Sequence, residues 1–216
     1  MDSIILASES TRRREWLSSR IEGMGVSLEF CSIMEPEPKP KYGSEVSNQV
    51  EAACLHKVEH ALLEWGEMIP RGGLMVVADT LVEDPDESRH PLGKPTGHLE
   101  AAAMLIRLSG RRHRVWSSTA IAYPPDFVPK SEDADSKRKI DAREIEIWTD
   151  FSIVEFDDIG EEGVAALVNS GSWMGKAGGY DIAGEASDFL TLVEGGDEAV
   201  LGFSPRAIHR LVDLIG

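Results

Sequence analysis

The chain has 216 residues, 42% of them hydrophobic, which is enough to bury a full core as one large domain or two closely joined lobes. Its net charge of −16 argues against the basic face that non-specific binding to nucleic acid or to a membrane surface requires. No apolar run approaches the roughly 20 residues that a membrane span needs, so we expect neither a nucleic-acid polymer nor a membrane as partner.

The two cysteines, Cys31 and Cys54, have no metal-binding spacing and form no disulfide framework. We therefore expect two reduced thiols in a cytoplasmic protein. The N-terminal apolar run of residues 4–7 is too short for the core of a signal peptide, which agrees with that location.

Taken in order, the chain begins with a short buried strand over Ser3–Ala7, and a helix is predicted to follow over residues 11–19. Either Ser8 or Ser10 is a suitable N-cap, because a serine hydroxyl can accept from the first free backbone amides of a helix. A helix that begins just after a strand is a favourable binding site for phosphate.

Three consecutive arginines, Arg12, Arg13 and Arg14, stand in the first turns of this helix. Basic side chains normally favour a helix C-terminus, because the N-terminus is already the positive end of the helix dipole. A bound anion would compensate for this exception, which favours a phosphate site here. The plain alternative is three solvated arginines on an acidic protein.

A second strand is predicted over residues 26–33, followed by a proline-rich loop, Met-Glu-Pro-Glu-Pro. Because proline is excluded from the interior of a sheet, the two acids of this loop, Glu35 and Glu37, are displayed rather than paired in a ladder. Either one is a candidate metal ligand or an ordinary loop acid.

A long helix is predicted over residues 47–65, and within it His56, Glu59 and His60 match the H-x-x-E-H pattern of one metalloprotease group. At about 100° per residue, the two histidines lie opposite the centre of the apolar stripe. This predicts that both face solvent, where no surrounding residues would enclose a zinc ion. Lys57 instead lies at the edge of the stripe, where its stem can be buried and its ammonium presented to a cleft. The stripe consists of Cys54, Leu55, Val58, Ala61, Leu62 and Trp65.

A buried strand over residues 74–78 is predicted to deliver Asp79 at its carboxyl end. The turn Gly-Lys-Pro begins fourteen residues beyond Asp79 and holds Lys94 in a stiff segment. Since ligands of open α/β sheets lie beyond the carboxyl ends of strands, this combination of acid and lysine suggests metal and phosphate chemistry.

The remaining patterns predict a helix over residues 97–108, a strand over 115–123 and a paired antiparallel strand over 144–154. Residues 124–143 between the two strands are rich in proline and charge, and are predicted to form an exposed hairpin or mobile loop. A short helix over 160–169 follows.

A glycine-rich run, Gly-Lys-Ala-Gly-Gly-Tyr, includes Gly178 and Gly179. Glycines allow a backbone to approach a ligand closely, but a tight turn explains the run equally well, and its spacing is not that of a P-loop. Ser204 and Pro205 then begin the closing helix, with proline at its first turn.

In order, these motifs resemble those of the Maf family over nearly the whole chain. They are Leu6-Ala7-Ser8-x-Ser10-x-Arg12-Arg13, Ala78-Asp79-Thr80, Gly93-Lys94-Pro95, Leu108-Ser109-Gly110, Lys176-Ala177-Gly178-Gly179-Tyr180 and Gly202-Phe203-Ser204-Pro205. The resemblance implies one α/β domain over residues 1–216, with two lobes of a mixed sheet flanked by helices around a central cleft, as in the inosine triphosphate pyrophosphatases.

The activity implied by this resemblance is a nucleoside triphosphate pyrophosphatase, which releases pyrophosphate and a nucleoside monophosphate. The family uses a divalent metal, often forms homodimers, and is associated with removal of non-standard nucleotides and with control of septum formation. Oxygen ligands from Asp79 and a loop glutamate suit Mg²⁺ or Mn²⁺ better than zinc.

Carried over by position, the resemblance makes Asp79 the essential acid, either as a metal ligand or as the base that activates water, with Lys57 and Lys94 as catalytic lysines. It makes Glu35 the second metal ligand, with Glu37 as the alternative. Its predicted substrate-binding residues are Ser8, Arg12, Arg13, Gly178 and Gly179.

Two features depart from the family pattern. Glu9-Ser10-Thr11 replaces the usual Ala-Ser-Pro after Ser8, and Ala183 replaces the glutamine that members acting on thymidine and uridine nucleotides usually carry. The preferred base is therefore open. Two other functions are also weighed, a non-catalytic nucleotide-binding regulator of cell division and a zinc metalloprotease using His56, Glu59 and His60.

Overall fold

The computed structural model describes residues 1–34, 43–125, 127–130 and 133–216. These residues contain eight strands and six α-helices. The strands are β1 (Ser3–Ala7), β2 (Ser27–Cys31), β3 (Gly73–Glu83), β4 (Pro91–Leu92), β5 (Arg112–Ala122), β6 (Lys137–Ile140), β7 (Arg143–Phe156) and β8 (Leu190–Glu194). The helices are α1 (Thr11–Arg20), α2 (Val46–Trp65), α3 (His98–Leu108), α4 (Gly160–Ser170), α5 (Asp197–Leu201) and α6 (Pro205–Ile215).

The strands form one mixed sheet in the order β2-β1-β3-β5-β7-β6, with β4 added to β3 and β8 added to β7. β1 pairs in parallel with both β2 and β3. The pairs from β3 through β5 and β7 to β6 are antiparallel. The predicted α/β architecture, a mixed sheet flanked by helices, is confirmed.

Strand β3 is buried on both faces, and its side chains alternate between two parts of the core. Leu74 and Val76 pack in a cluster with residues of α1 and α6, whereas Met75 and Val77 pack in a cluster with residues of α2. Farther along, Val82 belongs to a third cluster, formed with α3 and α4. Strand β3 therefore contributes side chains to three clusters of the core.

Asp79 lies inside β3 and not at its carboxyl end, so this part of the sequence interpretation was wrong. The strand continues because β5 pairs antiparallel with it as far as Val82. The parallel neighbour β1 ends earlier, where Ala7 faces Val77. Asp79 is thus placed just beyond the carboxyl end of the parallel pair, beside the segment that leads into α1.

Other differences are local. Strand β8 and helix α5 were not predicted, because β8 is largely exposed and α5 has only five residues. Within residues 124–143, the described part includes β6, which pairs with the start of β7. Among the described residues, no helix is both long enough and apolar enough to cross a bilayer.

Candidate functional site

Two adjoining cavities lie beside the carboxyl end of β1. The larger has a volume of about 660 Å³, and the smaller has a volume of about 50 Å³. The residues that line both are Ser10, Arg13, Lys94, Gly175 and Lys176. Because they share this wall, we treat the two cavities as one cleft.

The N-terminus of α1 forms one side of the cleft. The Ser10 hydroxyl is its N-cap and accepts a hydrogen bond from the Arg13 backbone amide at 3.4 Å. Ser8 is buried and lines the larger cavity, and its hydroxyl accepts from the Ser10 backbone amide at 3.2 Å. Of the two predicted caps, Ser10 is therefore the observed one, and Ser8 orders the turn that precedes it.

Arg13 connects α1 to two other segments of the cleft. Its Nε donates to the Gly202 carbonyl at 3.0 Å, and its Nη2 donates to the Thr80 hydroxyl at 2.8 Å. Gly202 has a φ of +109°, and a Cβ there would lie 2.5 Å from Arg13 Nε, so a larger residue would displace the guanidinium. The Thr80 hydroxyl also lies 2.8 Å from the Ser117 hydroxyl. The Ser117 hydroxyl in turn donates to the Ala199 carbonyl.

Arg12 and Lys176 converge on a single carboxylate, that of Asp181. Arg12 Nη1 donates to Asp181 Oδ1 at 2.9 Å, and Lys176 Nζ lies 3.3 Å from Asp181 Oδ2. Burial opposes ionisation of Asp181, but Arg12, the Ala183 backbone amide and Lys176 outweigh it and lower the pKa of this carboxyl. Among the described residues, the buried Nε of Arg12 has no hydrogen-bond partner, as expected of a donor left for a ligand.

The third arginine, Arg14, turns away from this group. Its Nε donates to the Ser8 carbonyl at 2.7 Å, and its guanidinium lies over the Phe30 ring, 5.2 Å from the centroid. Arg12, Arg13 and Arg14 thus all have partners within the chain. Only Arg12 and Arg13 line the cleft, which agrees with the two arginines that the family resemblance selects.

Asp79 and Lys57 form a hydrogen-bonded ion pair at the floor of the cleft. Both side chains are largely buried, with 10% and 12% of their surfaces exposed. Asp79 lines the smaller cavity and Lys57 the larger, so the pair spans the two. Beneath it, burial and the Asp79 charge raise the pKa of the Cys54 thiol to about 12, which leaves that thiol protonated and unreactive.

The Gly-Lys-Pro turn and the glycine-rich run meet across the cleft. The Gly178 backbone amide donates to the Gly93 carbonyl at 3.0 Å, next to Lys94, which lines both cavities. Gly178 and Gly179 themselves are buried against Val82 and Ala101 and line neither cavity. Their positive φ angles turn the chain, and the residues of this run that reach the cavities are Gly175, Lys176, Ala177 and Tyr180.

The two histidines of the H-x-x-E-H motif do not lie on an open solvent face, so that prediction was wrong. His56 and His60 are partly buried and line the larger cavity on either side of Lys57. The helical wheel located them correctly relative to the apolar stripe, but it carries no information on which segments pack beside that face. Glu59 is exposed and lines neither cavity.

The described residues contain no group of three or more histidine, cysteine, aspartate or glutamate side chains placed to hold a metal. Glu35 and Glu37 lie outside the described residues. Asp79 still suits Mg²⁺ or Mn²⁺, which proteins commonly hold through one or two carboxylates together with substrate phosphates.

Several cleft residues were not selected from the sequence as site residues. Thr80, Lys176 and Tyr180 belong to the motifs quoted above, so their proximity to predicted residues was a usable signal. Asp181 follows Tyr180 directly but carries no pattern of its own. Met174 and Ile33 had no signal, since an isolated apolar residue in a loop is uninformative.

Comparison with known proteins identifies a family. The family model described as Maf-like protein matches residues 3–215. A dTTP/UTP pyrophosphatase of Thermococcus gammatolerans is 31% identical over 212 residues, which cover 98% of this chain and 96% of that protein. A dTTP/UTP pyrophosphatase of Zymomonas mobilis is 30% identical over 200 residues, which cover 93% of this chain and 85% of that protein.

Among solved structures, a nucleoside-triphosphatase (dITP/XTP pyrophosphatase) of Mycobacterium abscessus aligns with 98% of this chain and 92% of its own, at 16% identity and a TM-score of 0.40. A score this low supports no inference about the present chain.

Proposed function

The chain belongs to the family of Maf-like proteins, and from this premise we propose that it hydrolyses a nucleoside triphosphate to the monophosphate and pyrophosphate. The observation that carries the proposal is the convergence of Arg12, Arg13, Lys94 and Lys176 on one cleft that also contains the Lys57–Asp79 pair. Four cations in the same cleft as the Lys57–Asp79 pair suit a highly charged anion that must be bound and also cleaved.

The four cations would neutralise the triphosphate, whose charge an acidic protein would otherwise repel. Arg12 and Arg13 offer planar donors to phosphate oxygens, and the N-terminus of α1 adds backbone amides beside them. Lys94 and Lys176 add single point charges. In this proposal the α-phosphorus lies near Asp79, where water attacks it and pyrophosphate leaves.

Asp79 would orient the attacking water and accept its proton, or share a divalent ion with the phosphates. Lys57 holds Asp79 in position through their hydrogen bond, and it adds positive charge near the oxygens on which negative charge grows. Asp79, together with Glu35 or Glu37, would hold Mg²⁺ or Mn²⁺, and the bound ion would supply further charge neutralisation at the phosphates. We further propose that the substrate is a small nucleotide in the cytoplasm and that the protein acts as a homodimer, as family members often do.

The names of the relatives make dTTP and UTP the first substrates to test. Ala183 stands where members with that specificity usually carry glutamine, so canonical and modified bases belong in the same panel. The Ala183 backbone amide donates to Asp181 at 3.1 Å, which ties this position to the cation pair. Base preference would therefore be set next to the phosphate site.

The test is pyrophosphate release by the purified protein with Mg²⁺ and with Mn²⁺, in parallel with Asp79→Asn and with Lys139→Met, an exposed lysine on β6, as control. We expect turnover in the wild type and in the control, and its loss in Asp79→Asn. Tight nucleotide binding without release by the wild type would support the regulator instead. Unimpaired turnover by a folded Asp79→Asn protein would overturn the assignment of Asp79.

A further inference from the structure

Two imidazoles stand one helical turn apart on the cleft-facing side of α2. The rings of His56 and His60 are edge to face, with centroids 4.4 Å apart and an interplanar angle of 61°. Both side chains are partly buried, and both line the larger cavity. None of the roles proposed above for the triphosphate, the water or the active-site metal uses them.

The backbone that carries the pair is well fixed. Helix α2 has 20 residues, and its opposite face is buried in the core through Cys54, Val58, Ala61 and Leu62. The i, i+4 spacing of the two histidines is therefore maintained without a ligand, and only side-chain rotation is needed to bring both rings onto one ion. Such preorganisation lowers the cost of binding.

We propose that His56 and His60 together chelate a divalent transition metal, such as Cu²⁺, Ni²⁺ or Zn²⁺. Imidazole nitrogen is a preferred ligand of these ions, whereas Mg²⁺ and Mn²⁺ prefer oxygen. The site is thus chemically distinct from the one at Asp79. Within the described residues no third side chain completes a cage, so water or phosphate oxygens fill the remaining positions.

The position of the chelate predicts its effect on the enzyme. Lys57 lies between the two histidines in sequence, lines the same cavity, and bonds to Asp79. An ion on His56 and His60 occupies space beside this pair and attracts phosphate oxygens to a position away from Asp79. It therefore inhibits hydrolysis in the presence of Mg²⁺. This consequence rests on the proposed function, whereas metal binding does not.

The direct test is isothermal titration of the untagged, nucleotide-free protein with Cu²⁺, Ni²⁺, Zn²⁺ and Mg²⁺, using His56→Gln, His60→Gln and the double variant. His209→Gln is the matched control, since His209 is an exposed histidine on α6. We expect one site for each transition metal, strongest for Cu²⁺, and no such site for Mg²⁺. Each single variant should bind roughly tenfold more weakly or worse, and the control should match the wild type.

Equal binding in the wild type and in the double variant would overturn the proposal, as would no binding in the wild type. Should a variant not fold, substoichiometric Cu²⁺ added to the wild type must selectively broaden the NMR signals of two of the histidine rings. Broadening of all accessible rings alike would count against the site.

Inhibition is measured as turnover with Zn²⁺ divided by turnover with Mg²⁺ alone, separately for each variant. Loss of inhibition in the double variant supports the regulatory role. Equal inhibition in the double variant would place the inhibiting ion elsewhere, for example at Asp79. An inactive protein that still binds Ni²⁺ through the two histidines would refute the proposed function and leave the metal site standing.

Discussion

Lys57 donates a hydrogen bond to Asp79, and this bond joins helix α2 to strand β3 where the parallel strand β1 has already ended. Both side chains are largely buried, so neither charge can be compensated fully by water. Removing one partner of a buried pair is costlier than replacing both, because a single change leaves an unpaired charge in a low-dielectric site.

The Lys57→Met change should therefore lower the free energy of unfolding by about 3 kcal/mol and abolish turnover. Adding Asp79→Asn should restore part of the stability, although the double variant stays inactive. Urea unfolding of the wild type, the two single variants and the double variant measures the coupling between the residues. Strictly additive losses would mean that the pair contributes nothing as a pair.

The bridge from Asp181 to Arg12 and Lys176 predicts a binding defect. Asp181→Asn keeps an acceptor for the Ala183 amide but removes the charge that orients the two cations. We expect KM to rise roughly tenfold with a smaller change in kcat, because substrate must then order both side chains. Steady-state kinetics test this, with the exposed Asp188→Asn as control. An unchanged or lower KM would show that Asp181 merely screens the cations.

A buried histidine predicts acid sensitivity of the fold. Burial lowers the pKa of His113 to about 4, and its Nε2 lies 2.8 Å from the Tyr180 hydroxyl. The unfolded chain, with a histidine pKa of about 6.5, binds more protons than the folded chain between these values. Stability contributed by His113 is thus present above pH 6.5 and lost as pH falls toward 4, by up to about 3 kcal/mol.

Urea unfolding of the wild type and of His113→Gln at pH 7, 5.5 and 4 isolates this contribution. The difference in stability between the two proteins should shrink or reverse as the pH falls, since glutamine does not titrate. The acidic side chains titrate in both proteins and cancel in the comparison. The exposed His209→Gln should show no such trend, and a pH-independent difference for His113→Gln would contradict the prediction.

Two glycines of the glycine-rich run offer a matched pair. Gly175 and Gly178 have nearly equal φ angles, +71° and +72°, but a Cβ at Gly175 meets nothing within 4 Å, whereas one at Gly178 lies 2.8 Å from Val82 Cγ2. Gly175→Ala should cost about 1 kcal/mol through backbone strain alone. Gly178→Ala should lower the free energy of unfolding by about 1 to 3 kcal/mol more than Gly175→Ala does, because the added methyl group overpacks the site. Thermal unfolding of the two variants measures the difference. Equal losses of stability in the two variants would mean that the Val82 side chain moves aside at no cost.

Local sequence patterns predicted several of the helices and strands that surround the site. The bounds of β1 and the start of α1 follow from a short apolar run and a serine cap, both properties of adjacent residues. Lys57 at the edge of the apolar stripe lies as the helical wheel predicted, because a helix fixes the direction of each side chain. Asp79 follows a buried run, but the length of β3 depends on β5, whose pairing no local pattern reveals.

The sequence by itself determined which residues are candidates for the chemistry, through motifs that are read without coordinates: the serine-capped arginines, the acid after a buried apolar run and the lysine in its stiff turn. Only the tertiary structure decided their partners. Arg12 meets Asp181 across 169 positions of the chain, Arg13 meets Gly202 across 189, and His56 and His60 line a cavity instead of open solvent. Contacts between such distant segments arise from packing of the whole sheet and its helices, whereas periodicity and spacing report only on neighbours.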